Sequence, residues 1–194
     1  MKNVLTIVLL SISILGYSQT VNLVQGDLKP LNDQSSLNLE FTYDGMTVGE
    51  EGLSEADYIK RKKEDYDKKE PGRGDRWEES WIADRNNRFE PKFKELFEKY
   101  AKKGVNANSK YTLIFHTTRT EPGWLATGLI RKSARIDGEV FVVETANRQN
   151  VIAQLSVINA RGAGAMGYDY DTGLRIQEAY SKSGKEIAKL IVKK

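Results

Sequence analysis

Cysteine is absent from the 194 residues. Disulfides, thiol nucleophiles, thiolate-bound metals and a lipid anchor on an N-terminal cysteine are therefore excluded. Histidine occurs once, as His116. A zinc site would have to combine it with carboxylates, and a Ser-His-Asp triad would have to use it as the base. It lies in the strand-like run Phe115-His116-Thr117, and the chain contains no Gly-x-Ser-x-Gly elbow. We read it as a structural or surface residue. Charge of one sign is also scarce: 30 Lys and Arg against 27 Asp and Glu leave a net charge of +3. That is too little for a general nucleic-acid binder. Apolar residues make up 39%, with nine Tyr, six Phe and three Trp, which excludes a wholly disordered chain.

What is present begins with an address. Met1-Lys2-Asn3 supplies a short positive start, and Val4 to Leu15 an apolar run broken by Thr6, Ser11 and Ser13. Gly16-Tyr17-Ser18 then puts small residues where a signal peptidase cuts, before Gln19. A bilayer span needs about 20 residues, more than this run supplies. We expect residues 1–18 to be a secretory signal peptide and 19–194 a single exported α+β domain, periplasmic or at the cell surface, without a transmembrane segment.

Leu37 to Tyr43 alternates apolar and polar residues without error, as a half-buried strand does. Gln19 to Ser36 is polar and turn-rich, and is expected to run over the surface. Residues 54–103 form a helical insert. Ser54 with Asp57 resembles a capping box opening a short charged helix that ends near Lys69. Glu70 to Gly74 breaks the chain, and Asp75 with Glu78 repeats the capping signal. The longer second helix carries Trp77, Trp81, Phe89, Phe93, Phe97 and Tyr100 as an apolar stripe. Pro91 predicts a kink or restart near Phe89-Glu90. The stripe is core in the simpler reading, though so many rings on one face suggest an exposed patch for a partner.

Beyond Asn108 the period changes to two. Tyr111–Thr118 reads as a strand and Glu121-Pro122-Gly123 as a turn. Asp137-Gly138 between two apolar runs is a hairpin signal. Asn147 to Asn150 turns again into a strand over Val151–Ala160, and a glycine-rich loop, Gly162 to Gly167, leads to a final helix from about Thr172. The expected fold is α+β: a mainly antiparallel sheet of about five strands, a meander after residue 109, and helices on one face.

Sharper motifs fail on context. The spaced glycines Gly162, Gly164 and Gly167 match a dinucleotide-binding pattern. That chemistry needs them to open a helix directly and a second parallel strand to follow. Asp169-Tyr170-Asp171 resembles the start of a calcium loop, but Gly173 replaces an oxygen ligand and the twelfth position is Tyr180. We expect Asp171 or Thr172 to cap the last helix instead. No cofactor and no metal is implied. The 27 acids offer carboxylate pairs for a glycosidase-like reaction, but no residue is singled out as catalytic. Trp124, past the Pro122-Gly123 turn, is hard to assign to the core. With Tyr168 and Tyr170 beside Gly162, Gly164 and Gly167, it forms the candidate binding set, able to stack on a sugar ring or a peptide.

The leader, the charged and aromatic helical middle, the Thr118–Trp124 turn and the glycine-rich loop before a terminal helix resemble uncharacterised cell-envelope proteins of Gram-negative bacteria. The resemblance covers about Ser109 to Lys194. It implies binding or scaffolding rather than catalysis, with a protein or an envelope polymer as partner. The alternative is a hydrolase of envelope carbohydrate or peptide that uses carboxylates, Tyr or Ser. It requires two convergent acids in a concave pocket, at least one with a raised pKa.

Overall fold

The alternation at Leu37 to Tyr43 produces β2 (Ser36–Thr42), and a computed structural model describes the chain around it over residues 20–126, 130–164 and 171–193. Leu37 and Leu39 are buried on one side of β2, while Glu40 and Thr42 are only half-buried on the other. The same alternation governs β6 (Tyr111–Glu121), where Tyr111, Leu113, Phe115 and Thr117 point inward. It recurs at Val140 and Val142 of β8 (Ile130–Glu144) and at Ala153, Leu155 and Val157 of β9 (Asn147–Gly164). One face of the sheet is thus apolar and takes the helices.

The sheet differs from the expected five-stranded meander. It has nine strands among the described residues, and its main path runs β1, β9, β8, β6, β2, β5, where β1 is Thr20–Gly26 and β5 is Gly104–Val105. β6, β8 and β9 are consecutive antiparallel neighbours, as expected of a meander. β2 instead joins β6 in parallel, with Phe41 beside Phe115. The cause is the helical insert, because parallel neighbours need a long crossover and the insert supplies it. The sheet is therefore mixed.

Three further expectations are corrected. The segment before β2 is not merely a surface run: β1 pairs antiparallel with β9, and Leu28 and Leu31 are fully buried. Apolar residues too sparse to form a pattern thus still close one edge of the core. Asp137-Gly138 is not a hairpin turn, since β8 continues through it and the turn falls at 145–146. The flanking runs lie along the eleven residues of β6 rather than on each other. A bulge between Ile136 and Gly138 absorbs the Asp-Gly pair. Gly162 and Gly164 belong to β9, not to a loop; Gly164 pairs with Ser133 of β8.

Just before the insert, β3 (Thr47–Val48) and β4 (Leu53–Ser54) make a small ladder, and β3 also runs parallel to β6. α1 (Glu55–Asp67) starts as predicted, with the Ser54 hydroxyl accepting from Asp57 N at 3.1 Å. α2 (Arg73–Asp84) starts differently. Its N-cap is Gly72 in the left-handed region at φ 76°, with no side-chain cap. Asp75 binds Lys63 at 2.8 Å instead of capping. The restart at Pro91 is present: a π-helical turn, Arg85–Phe89, precedes α3 (Glu90–Ala101), whose first turn holds the proline.

α3 and α4 (Thr172–Val192) cover the apolar face. Phe93 contacts Phe41 and Phe115 edge-on, with ring centroids 5.1 and 5.3 Å apart. Phe89 stacks on Tyr180 at 5.1 Å. The expected last helix is present, and its Ile176, Tyr180, Ile187 and Ile191 are buried. Gly184 lets α4 approach α3, since a Cβ there would run into the Phe93 carbonyl. Asp171 caps α4 by accepting from Leu174 N at 3.1 Å.

The aromatic stripe is core rather than an exposed patch. Trp81, Phe89, Phe93 and Phe97 are buried, and Trp77 and Tyr100 pack partly buried against the same cluster. Among the described residues no helix is long and apolar enough to cross a membrane.

Candidate functional site

Arg85 and Arg88, in the π-helical turn, carry the polar contacts of the insert to α1 and α4. Arg85 follows Trp81 on the same side one turn later. Both reach Glu55 at the start of α1, and Arg85 also lies over Tyr43 just past β2. A cleft of about 770 Å³ opens there, lined among others by Thr42, Tyr43, Met46, Ser54, Glu55 and Arg85. Its floor is Tyr43, with the Arg85 guanidinium 4.2 Å from the ring centroid.

Two charges of the cleft, Glu55 and Arg85, are held by fixed partners. Glu55 takes both its oxygens to Arg85, and the Trp81 indole donates to Glu55 Oε1 at 2.6 Å. Both side chains of the ion pair are only 20% exposed. Deeper in, the Tyr43 hydroxyl reaches toward Glu90 Oε1 at 3.5 Å, with Lys94 on the same carboxylate's other oxygen at 3.7 Å. Burial pushes both the Tyr43 phenol and the Glu90 carboxyl above their ordinary values. Thr117 and Tyr180, both buried, share a hydroxyl–hydroxyl bond of 2.6 Å.

A second ion cluster ties the π turn to α4. Arg88 binds both oxygens of Asp171, at 2.6 and 2.7 Å, and Asp84 at 3.0 Å. Burial acts to raise the Asp171 carboxyl. Bonds from Arg88 and from the Leu174 and Gly173 backbone outweigh it and hold the group below its ordinary value.

The described members of the predicted binding set do not line this cleft. Trp124 is 44% exposed in β7 (Trp124–Ala126), and rims a separate cavity of about 240 Å³ with Tyr58, Arg61 and Glu121. Gly162 is buried in β9, where a Cβ would strike the Arg175 backbone of α4. Its role is close packing of strand on helix. Gly167, Tyr168 and Tyr170 lie outside the described residues. His116 is a half-buried residue of β6, its Nδ1 2.9 Å from the Thr42 hydroxyl. Among the described residues, no group of three His, Asp or Glu is placed to hold a metal ion.

Sequence reasoning missed Tyr43, Glu55 and Arg85. The available signals were the four-residue spacing of Trp81 and Arg85 and the disturbance that Pro91 imposes on the preceding turn.

No family model matches the chain, and no curated protein matches it. Among solved structures it is similar to the PelC dodecamer from Paraburkholderia phytofirmans, with a TM-score of 0.38 and 8% identity over 88% of this chain and 98% of that one. A point variant of the same dodecamer gives a TM-score of 0.39 and 9% identity over the same shares.

Proposed function

We propose that this chain is an exported, non-catalytic protein of the cell envelope that binds a partner there, and that the partner is an extended polar segment of an envelope polymer or protein lying in the Tyr43–Arg85 cleft. The leader at Met1–Ser18 supports export. The observation that carries the reading is the state of the cleft's charges. Glu55 is held by Arg85 and the Trp81 indole, so the lining offers hydroxyls, backbone groups, a ring under a guanidinium and a single carboxylate outside the ion pair, Asp44 at the mouth. The hydrolytic alternative needs two convergent carboxyls. Glu90 and Asp84 have raised pKa values, but neither lines the cleft, and Asp44 stands exposed at its mouth.

The test is titration of the protein spanning 19–194 with fragments of its own envelope polysaccharide and peptidoglycan, alongside mild crosslinking in cells. Asp44→Trp, at an exposed position on the cleft, should weaken binding at least tenfold while leaving the melting temperature unchanged. Binding unaffected by that substitution would remove the cleft from the reading. Release of cleaved fragments would replace it with the hydrolase.

A further inference from the structure

Away from the cleft, at the end of β6 and β8, the strands carry a group of cations on neighbouring positions. Arg119 pairs with Asp137 in register, and Glu121 with Arg135. Bulges in both strand pairings meet here, between Thr117 and Arg119 and between Ile136 and Gly138. Bulges re-aim side chains that strict alternation would separate. The result is a cavity of about 260 Å³ lined by Arg119, Lys132 and Arg135 together with Glu121 and Asp137.

Each of the two acids accepts from at least one fixed donor. Glu121 is 5% exposed; its Oε1 accepts from Gly123 N at 3.1 Å and its Oε2 from Lys132 at 3.0 Å. Lys132 also binds Glu50. Asp137 Oδ1 accepts from Asn159 N at 2.6 Å, where Asn159 holds a left-handed φ of 56°. The other Asp137 oxygen is 3.7 Å from Arg119, beyond hydrogen-bond length. Arg135 differs from all of these: its Nε is buried and has no hydrogen-bond partner. A guanidinium is always charged, and its N–H fork matches the two oxygens of a carboxylate or phosphate.

We propose that this cavity binds an oxyanion, a carboxylate or phosphate group, with Arg135 as its principal donor and Arg119 as the second cation. Glu121 is paired with Lys132 and Asp137 faces Arg119, so the three lining cations outnumber the two lining acids, and the unsatisfied buried donor belongs to the residue best shaped for such a ligand. The volume suits one such group rather than an oligomer, which distinguishes this corner from the larger cleft.

The experiment titrates the protein spanning 19–194 with inorganic phosphate, and separately with galacturonate as a sugar carboxylate, at constant ionic strength in chloride. Calorimetry reads affinity, and the Arg135 Nε–H resonance reads the site itself. Saturable binding of at least one probe is expected, with a shift of that resonance. Phosphate alone would identify a phosphate ligand, and galacturonate alone a carboxylate. Arg135→Met should lose at least tenfold in affinity while melting in chloride no lower than the parent, because it removes an unsatisfied buried donor. Arg135→Lys, which keeps the charge without the fork, should fall between them. Unchanged affinity in Arg135→Met, or an Arg135 resonance that neither probe moves, would overturn the proposal. If Arg135→Met fails to fold, the resonance in the parent and the Arg135→Lys affinity decide the question alone.

Discussion

Glu55→Gln tests whether the cleft is held open by an ion pair. The substitution keeps the shape and an acceptor for the Trp81 indole, now 2.6 Å from Glu55 Oε1, but removes the charge facing Arg85. Exposed ion pairs contribute about 0–1 kcal/mol. Removing one partner from a fully buried pair costs about 3–5 kcal/mol, because the other charge is left uncompensated. With both side chains 20% exposed, the present pair lies between these limits, and a loss of about 2 kcal/mol is expected. For a domain of this size that lowers the melting temperature by about 4–8 °C. Urea unfolding should move its midpoint without changing its slope. Arg85→Met alone should cost a similar amount, including its contact with the Tyr43 ring at 4.2 Å. The double variant should be less unstable than the sum, with a coupling of about 2 kcal/mol. A Glu55→Gln loss below about 0.5 kcal/mol, or strict additivity, would show that the pair is ordinary surface electrostatics.

Gly184→Ala should destabilise by about 1–3 kcal/mol in thermal melts, because the new methyl meets the backbone of Phe93 rather than a side chain that could turn away. Tyr180→Phe leaves the buried Thr117 hydroxyl without its 2.6 Å partner, and should cost about 1–3 kcal/mol by the same measurement. Glu90 carries a carboxyl raised above the ordinary 4.5 by burial, so the folded state binds its proton more tightly than the unfolded chain. Its stabilising share is complete below pH 4.5 and is lost as pH rises through the raised value. Glu90→Gln should therefore flatten the decline in urea midpoint between pH 4.5 and neutrality, and an unchanged profile would refute the assignment.

The elements whose signal is local were legible in the sequence. The Ser54 cap, the Pro91 restart, the Asp171 cap and the alternation of β2 and β6 each depend on neighbours a few residues away. What was illegible depends on partners far along the chain. β1 has only Val21 and Leu23 to pack inward, and it becomes a strand because β9 offers an unpaired edge. Asp137-Gly138 carries hairpin chemistry, yet β6 on one side and β9 on the other draw both flanks straight. Tertiary pairing there overrides a strong turn preference. Gly162 reads as loop by composition and proves to be the point where a strand lies against the first turn of α4. The candidate cleft was hidden for the same reason, since Tyr43, Glu55 and Arg85 come from three elements that only the crossover brings together.

The two polar sites can be separated by what their charges are doing. In the cleft the half-buried Glu55–Arg85 pair closes on itself, so the proposed extended segment would gain hydrogen bonds without breaking it, and its affinity would come from many modest contacts. In the β6–β8 corner a buried guanidinium nitrogen stands without a partner. That arrangement costs about 1–3 kcal/mol in the empty protein, a loss that a single oxyanion could recover. Folding alone gives no reason to keep Arg135 there, because an apolar side chain of similar volume would satisfy the same space at lower cost. The corner is therefore the place where folded stability and binding point in opposite directions. It is also where Arg135→Met separates them: a protein that melts no lower but no longer takes up an anion.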